Sequence, residues 1–336
     1  MKTVYINGKP VGKGYPTYVI AEIGINHNGD IKLAKDTIDA AVKSGADAVK
    51  LQTYSTEGFI HPENPIFNAV KSCELTKDEY IELFDYTRGK GSVVFSSPEC
   101  LEDIEFLKRR NPPAVKIASM DMNYRQFVKT VAGIGKPVIL STGMSFFHEV
   151  ANSMRWIEEA GNDQIVLLHC VSCYPTPPEE CNLSVIPMLA TAFGYPTGFS
   201  DHTVTLDVPF ASACLGANVI EKHFTLDKNL EGPDHGGSAN PEDLKTLIGW
   251  LRNFENALGN GLKKPSKSEE VARLKKRRSV FAKKELFPGD TLSETDIHFL
   301  TPSLPESQLE SLESFLGRTV KIEIPKNGII TSEVLD

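Results

Sequence analysis

Two lysines and three serines stand where short apolar runs of the chain give out: Lys50 in ADAVKLQT (46–53), Ser97 in SVVFSSP (92–98), Lys116 and Ser119 in AVKIAS (114–119), and Ser141 in PVILSTG (137–143). Ammonium groups with hydroxyl donors are the set that holds a phosphate and a carboxylate. Two histidines occupy similar positions, His202 closing TGFSDH (197–202) and His223 near the end of ANVIEKHF (217–224). Two neutral imidazoles on one divalent ion, with other positions open, suit a catalytic Lewis acid rather than a closed structural site. Glu22 in YVIAEIGI (18–25), Gln52, Ser96, Thr142, His169, Asp201 and Glu221 complete the polar residues at these run ends. The lysines admit a second chemistry, a Schiff base to a carbonyl substrate that needs no metal. Each residue alone has an ordinary explanation. Weight comes only from a fold that brings them to one rim.

The pattern of elements supplies such a fold. Together with QIVLLHC (164–170), the apolar runs number eight, and segments of helical period follow them at 31–44, 76–90, 99–109, 124–134, 147–160, 183–193, 207–215 and 241–258. Ser44-Gly45 is a helix-end signal, and Asn240-Pro241 places a cap before a first-turn proline. Eight strand–helix repeats over about 250 residues give an α/β chain of the (β/α)8 barrel class, whose active sites lie at the C-terminal strand ends. An open doubly wound sheet is the alternative, but no G-x-G-x-x-G follows the first strand. Residues 1–16 read as a hairpin turning at Asn7-Gly8 and plugging the barrel bottom. The predicted division is a barrel domain at 1–262, a basic linker at 263–278 with capping-box spacing at Ser266 and Glu269, and a small β-rich domain at 279–336. That last piece is expected to bury little core by itself.

Composition removes several classes of function. With 36 Lys+Arg against 44 Asp+Glu the formal charge is −8, which argues against nucleic-acid binding, and the run Lys275–Arg278 reads as a solvated linker face. No apolar run approaches the roughly 20 residues of a membrane span, and no apolar leader opens the chain, so a soluble, cytoplasmic protein is expected. Six cysteines lack regular spacing; Cys170 and Cys173 form one CxxC with no second pair to complete a zinc site, so all six are expected to be free thiols, the CxxC pair buried.

The ordered motifs EIGINHNG (22–29), KLQTY (50–54), KIAS (116–119), LSTGM (140–144), LLHC (167–170) with YPTP (174–177), FSDHT (199–203), EKHF (221–224) and GPDH (232–235) resemble the sialic acid synthases, the phosphoenolpyruvate-condensing nonulosonate synthases. RRSVFAKKELFPGD and LGRTVKIEIPKNGIIT resemble the antifreeze-like (SAF) domain at the end of those enzymes. The resemblance implies a metal-dependent transferase that joins phosphoenolpyruvate to an N-acylhexosamine such as N-acetylmannosamine, giving a nine-carbon 2-keto sugar acid and phosphate. It implies that Lys50, Ser97, Lys116, Ser119 and Ser141 hold phosphoenolpyruvate, that His202 and His223 bind Mn²⁺ or Mg²⁺, and that Glu22 acts near C2 of phosphoenolpyruvate. Gln52, Asp121, Tyr174 and Asp234 would contact the sugar. A homodimer is implied, with the SAF domain covering the partner's active site.

Departures fall on the sugar side. FLTPSLPES (299–307) has Thr301 where those synthases place a substrate-contacting arginine, Asp121 is a methylene shorter than the glutamate often there, and Ser172 replaces an asparagine. The stretch between Tyr54 and Cys73 is also shorter. Two other readings stand beside the synthase: a Schiff-base pyruvate aldolase of the same fold, and a non-catalytic carbohydrate- or ice-binding protein.

Overall fold

The computed structural model describes residues 1–302 and 311–336, apart from the side chain of Leu274. Residues 303–307 of the FLTPSLPES segment therefore lie outside the described residues, while Thr301 is exposed. The chain forms two compact units, Met1–Leu258 and Gly259–Asp336.

The first unit opens with β1 (Val4–Ile6) and β2 (Lys9–Val11), an antiparallel hairpin. Both turn residues, Asn7 and Gly8, have positive φ, as the tight hairpin turn demands. Eight parallel strands follow, β3 (Tyr18–Gly24), β4 (Ala48–Thr53), β5 (Val93–Pro98), β6 (Val115–Ile117), β7 (Val138–Ser141), β8 (Ile165–Cys170), β9 (Thr197–Asp201) and β10 (Val219–His223), and β10 pairs with β3 to close the barrel. The helices are α1 (Ile31–Ser44), α2 (Phe67–Ser72), α3 (Lys77–Gly89), α4 (Leu101–Arg109), α5 (Arg125–Ala132), α6 (Phe147–Glu159), α7 (Val185–Phe193), α8 (Asp207–Cys214) and α9 (Pro241–Leu258). Local chemistry sets their ends. The Asp30 carboxylate accepts from the Lys32 and Leu33 amides, Gly45 terminates α1 at φ 94°, and the Asn240 side chain accepts from the Asp243 amide at 2.9 Å. The sequence reading had no element between Tyr54 and Cys73. That stretch forms a 3₁₀ turn (Thr56–Gly58) and α2.

Side-chain alternation along the strands splits the core in two. Val19, Ala21, Val49, Leu51, Val94 and Ile117 join the layer between strands and helices. Their alternates Tyr18, Ile20, Ala48, Phe95 and Ile139 fill the barrel interior, and Val4, Ile6 and Val11 of the hairpin pack against them at its N-terminal end. Gly198 on β9 shows how tight this interior is: a Cβ there would stand 2.3 Å from the Val219 carbonyl oxygen and 2.7 Å from Leu168 Cδ2. Gly198→Ala is expected to lower stability by about 1–3 kcal/mol through overpacking, read as a shift of the urea midpoint at unchanged slope; an unshifted midpoint would contradict this packing.

The second unit holds α10 (Lys267–Lys276), with the Ser266–Glu269 capping box formed, and the antiparallel pair β11 (Ser279–Ala282) and β12 (Ile297–Leu300). Isolated bridges such as Leu286–Ile324 and Val320–Leu335 join the other short extended segments of this β-rich unit. The expectation of little core is corrected here. Val280, Leu286, Leu292, Phe315, Ile324 and Leu335 bury completely or nearly so in a cluster of their own, because several short segments each contribute one or two apolar side chains. Among the described residues no helix is long and apolar enough to cross a membrane. All six cysteines are free thiols. Cys170 is buried, but Cys173 is exposed rather than buried, because it lies beyond the end of β8.

Candidate active site

Alternation also decides which strand-end residues face the mouth. A cavity of about 380 Å³ opens at the C-terminal ends of the barrel strands. It takes Glu22 from β3, Lys50 and Gln52 from β4, Ser97 from β5, Lys116 from β6, Ser141 from β7, Cys170 from β8, Ser200 from β9, and Glu221 and His223 from β10. Ser119, Tyr174 and His202 join from the loops just beyond the strands. The neighbours in sequence point the other way. Ser96 donates to the Leu51 carbonyl, Thr142 to the Leu168 carbonyl, and His169 bonds the Cys181 carbonyl at 2.7 Å. Asp201 receives the Lys222 ammonium at 2.6 Å. Those four strand-end residues therefore belong to the strand–helix layer and not to the site.

Of the residues to which the family resemblance gives a role, all but Asp121 and Asp234 line this cavity. Asp234 lies in an adjoining recess that shares Tyr174, His202 and His223, and its carboxylate is hydrogen-bonded to His223 Nδ1. Asp121 ends a 3₁₀ turn (Ser119–Asp121) beside the cavity, half-buried, with one carboxylate oxygen lacking a hydrogen-bond partner among the described residues.

The floor is a charge-balanced cluster. Lys50 pairs with Glu22 and stands 4.0 Å from Glu221, which lies 3.5 Å from Lys116 and accepts a hydrogen bond from Ser200 at 2.8 Å. All four charged groups are buried. Burial alone disfavours an ionised Glu221, yet the ammonium groups of Lys116 and Lys50 override it and hold the carboxyl below the ordinary range. Burial lowers Lys50, and the neighbouring carboxylates offset only part of that effect. Around this floor Ser119 accepts from the Gly143 amide at 3.0 Å, and the buried Ser141 hydroxyl has no partner among the described residues. One wall is apolar, built by Tyr54, Phe59, Ile60, Ile66 and Val70 from the segment that holds α2.

The two histidines face each other edge to face, ring centres 5.3 Å apart, with Tyr174 4.0 Å from His202. His202 Nδ1 donates to the Val171 carbonyl at 2.7 Å. A carbonyl can only accept, so Nδ1 carries the proton and Nε2 of the neutral ring carries the lone pair; the carboxylate of Asp234 likewise accepts from His223 Nδ1. Neither Nε2 has a hydrogen-bond partner among the described residues. Burial pushes His202 down to about 3, which keeps it neutral. Among the described residues no three His, Cys, Asp or Glu side chains converge as a metal cage. Two imidazole nitrogens are the donors the site offers, and a cation held by them would keep its remaining positions open.

Sequence reasoning missed two carboxylates and the apolar wall. Glu221 was seen as a strand end without a role, although its spacing by two from His223 puts both on the inner face. Glu99 was not seen. It follows Pro98, where the apolar run stops, and is only 7% exposed. Burial and the nearby Asp121 carboxylate raise Glu99 well above the usual range, and burial raises Asp121 likewise.

Against known proteins, the model of the NeuB family matches residues 37–263 and that of the SAF domain residues 277–335. An uncharacterized protein of Methanocaldococcus jannaschii is 43% identical over 330 residues, 98% of each chain. The N,N'-diacetyllegionaminic acid synthase of Legionella pneumophila is 37% identical over 316 residues, 88% of this chain and 89% of that one. The crystal structure of the N-acetylneuraminic acid (sialic acid) synthetase of Leptospira borgpetersenii superposes with a TM-score of 0.77 at 32% identity, over 80% of this chain and 94% of that one.

Proposed function

The chain belongs to the NeuB family and carries a SAF domain at its C-terminal end, and from that premise we propose that it condenses phosphoenolpyruvate with an N-acylhexosamine, giving a nine-carbon 2-keto sugar acid and inorganic phosphate. The observation that carries this reading is one cavity with two buried lysines on its floor and two imidazoles on its rim, each holding its Nδ1 against an acceptor.

Phosphoenolpyruvate is an anion with a phosphate and a carboxylate to place. Lys50 and Lys116 attract it, and the Ser97, Ser119 and Ser141 hydroxyls supply oriented donors. The open-chain sugar lies above, its hydroxyls against Gln52 and Tyr174. C3 of the enol then forms a bond to the aldehyde carbon, and the aldehyde oxygen takes a proton to become a hydroxyl. Water adds at C2, the C2–O bond to phosphate breaks, and inorganic phosphate leaves. Glu22 stands on the floor beside Lys50, where a carboxylate stabilises positive charge developing at C2 or orients the attacking water. His202 and His223 would hold Mn²⁺ or Mg²⁺ through Nε2, and the ion would supply Lewis-acid polarisation of the aldehyde. Asp234 keeps His223 in the tautomer that leaves Nε2 available.

A second reading rests on Lys50, whose lowered basicity is what a Schiff-base lysine needs. Its carboxylate partners oppose that role, because they favour the ammonium. Phosphate release from phosphoenolpyruvate, measured over a panel of N-acylhexosamines with and without EDTA, separates the two. The synthase is expected to release phosphate with at least one sugar and to stop on chelation. Borohydride trapping of a lysine with pyruvate, together with indifference to EDTA, would establish the aldolase.

A further inference from the structure

Glu99 is a buried carboxyl that the floor of the cavity does not need. Lys50 is already paired with Glu22, and Glu221 lies between Lys50 and Lys116, so two cations meet two carboxylates without it. Glu99 nevertheless lines the cavity, is more than nine-tenths buried, and has one oxygen with no hydrogen-bond partner among the described residues. A buried acceptor without a donor is unfavourable until something in the cavity satisfies it. A carboxylate or fully ionised phosphate has no hydrogen to donate and cannot satisfy it.

We propose that Glu99 is a specificity-determining residue that contacts the acceptor sugar through a hydroxyl or amide N–H, and that the sugar group placed there is uncharged. This rests on the synthase reading above. The raised basicity of Glu99 beside Asp121 supports it: such a pair offers an O–H donor along with acceptor oxygens, and a sugar hydroxyl is itself both donor and acceptor. A site built around such a bond discriminates strongly against ligands that cannot make it.

The test is steady-state kinetics of phosphate release with unphosphorylated N-acetylmannosamine and 2,4-diacetamido-2,4,6-trideoxyhexoses, comparing the wild type with Glu99→Leu and Glu99→Gln. Glu99→Leu keeps bulk and removes all hydrogen bonding; it is expected to raise the sugar KM about tenfold or more, leaving the KM for phosphoenolpyruvate within about twofold. Glu99→Gln keeps a donor and an acceptor and is expected to fall between, with a sugar KM raised about threefold. If Glu99→Leu does not fold, the glutamine variant decides. A sugar KM equal to the wild type in the folded variants, or a KM for phosphoenolpyruvate that rises in step, overturns the assignment while the synthase reading stands. A wild-type chain that turns over none of these sugars removes the reading itself, and Glu99 with it.

Discussion

Lys50→Met is expected to destabilise the barrel by about 3–5 kcal/mol and to abolish binding of phosphoenolpyruvate. The stability effect follows from burial: Glu22 loses its partner outright, Glu221 loses one of two, and an uncompensated buried charge costs more than the intact pair contributes. Its pH dependence has a definite sign. Glu221 is held below its ordinary value of 4.5, down to about 2, by Lys116 and Lys50 against the opposing effect of burial. A depressed carboxyl adds stability that is fully present above the ordinary value and lost as pH falls toward the folded one. Removing Lys50 takes away part of that contribution, so the gap between wild type and variant should narrow as pH falls below 4.5. Urea titrations across this range, with phosphoenolpyruvate binding followed by calorimetry, provide the check. A variant as stable as the wild type at neutral pH would mean that Glu22 and Glu221 do not depend on this ammonium.

His202→Ala and His223→Ala are each expected to lower turnover about a thousandfold or more, the scale of losing several kcal/mol of transition-state stabilisation. Neither imidazole belongs to the lysine–carboxylate floor, so phosphoenolpyruvate binding should change little; His223→Ala should also lower stability, because Asp234 loses its imidazole partner. Asp234→Asn should cost less, about 10–100-fold, because it alters the support of His223 and leaves the ring in place. The readouts are kcat at saturating Mn²⁺ and equilibrium binding of Mn²⁺ by the free protein. Either alanine variant retaining wild-type Mn²⁺ affinity would remove the two imidazoles as ligands, whatever its activity.

The division of labour between sequence and fold is visible at the cavity rim. Apolar runs, Gly45 and the Asn240 cap placed strands and helices to within a residue or two, because those signals act over a few neighbouring residues. The same run ends also suggested Ser96, Thr142, His169 and Asp201, which turn away from the cavity; strand alternation assigns them to the helix-facing layer once the inner face of each strand is known. The wall that holds α2 has no regular apolar period, so its part in the site was not legible.

What the sequence determined by itself was the kind of side chain offered at each strand end, and with it the barrel and the cation, hydroxyl and imidazole chemistry. Which charges neutralise one another was decided only by closure of the barrel. Lys116 on β6 meets Glu221 on β10, Lys50 on β4 meets Glu22 on β3, and one Glu99 oxygen has no hydrogen-bond partner among the described residues. Local sequence has no term for such pairings: they depend on distances of a few ångström between strands far apart along the chain, inside a site where burial makes each unpaired charge costly.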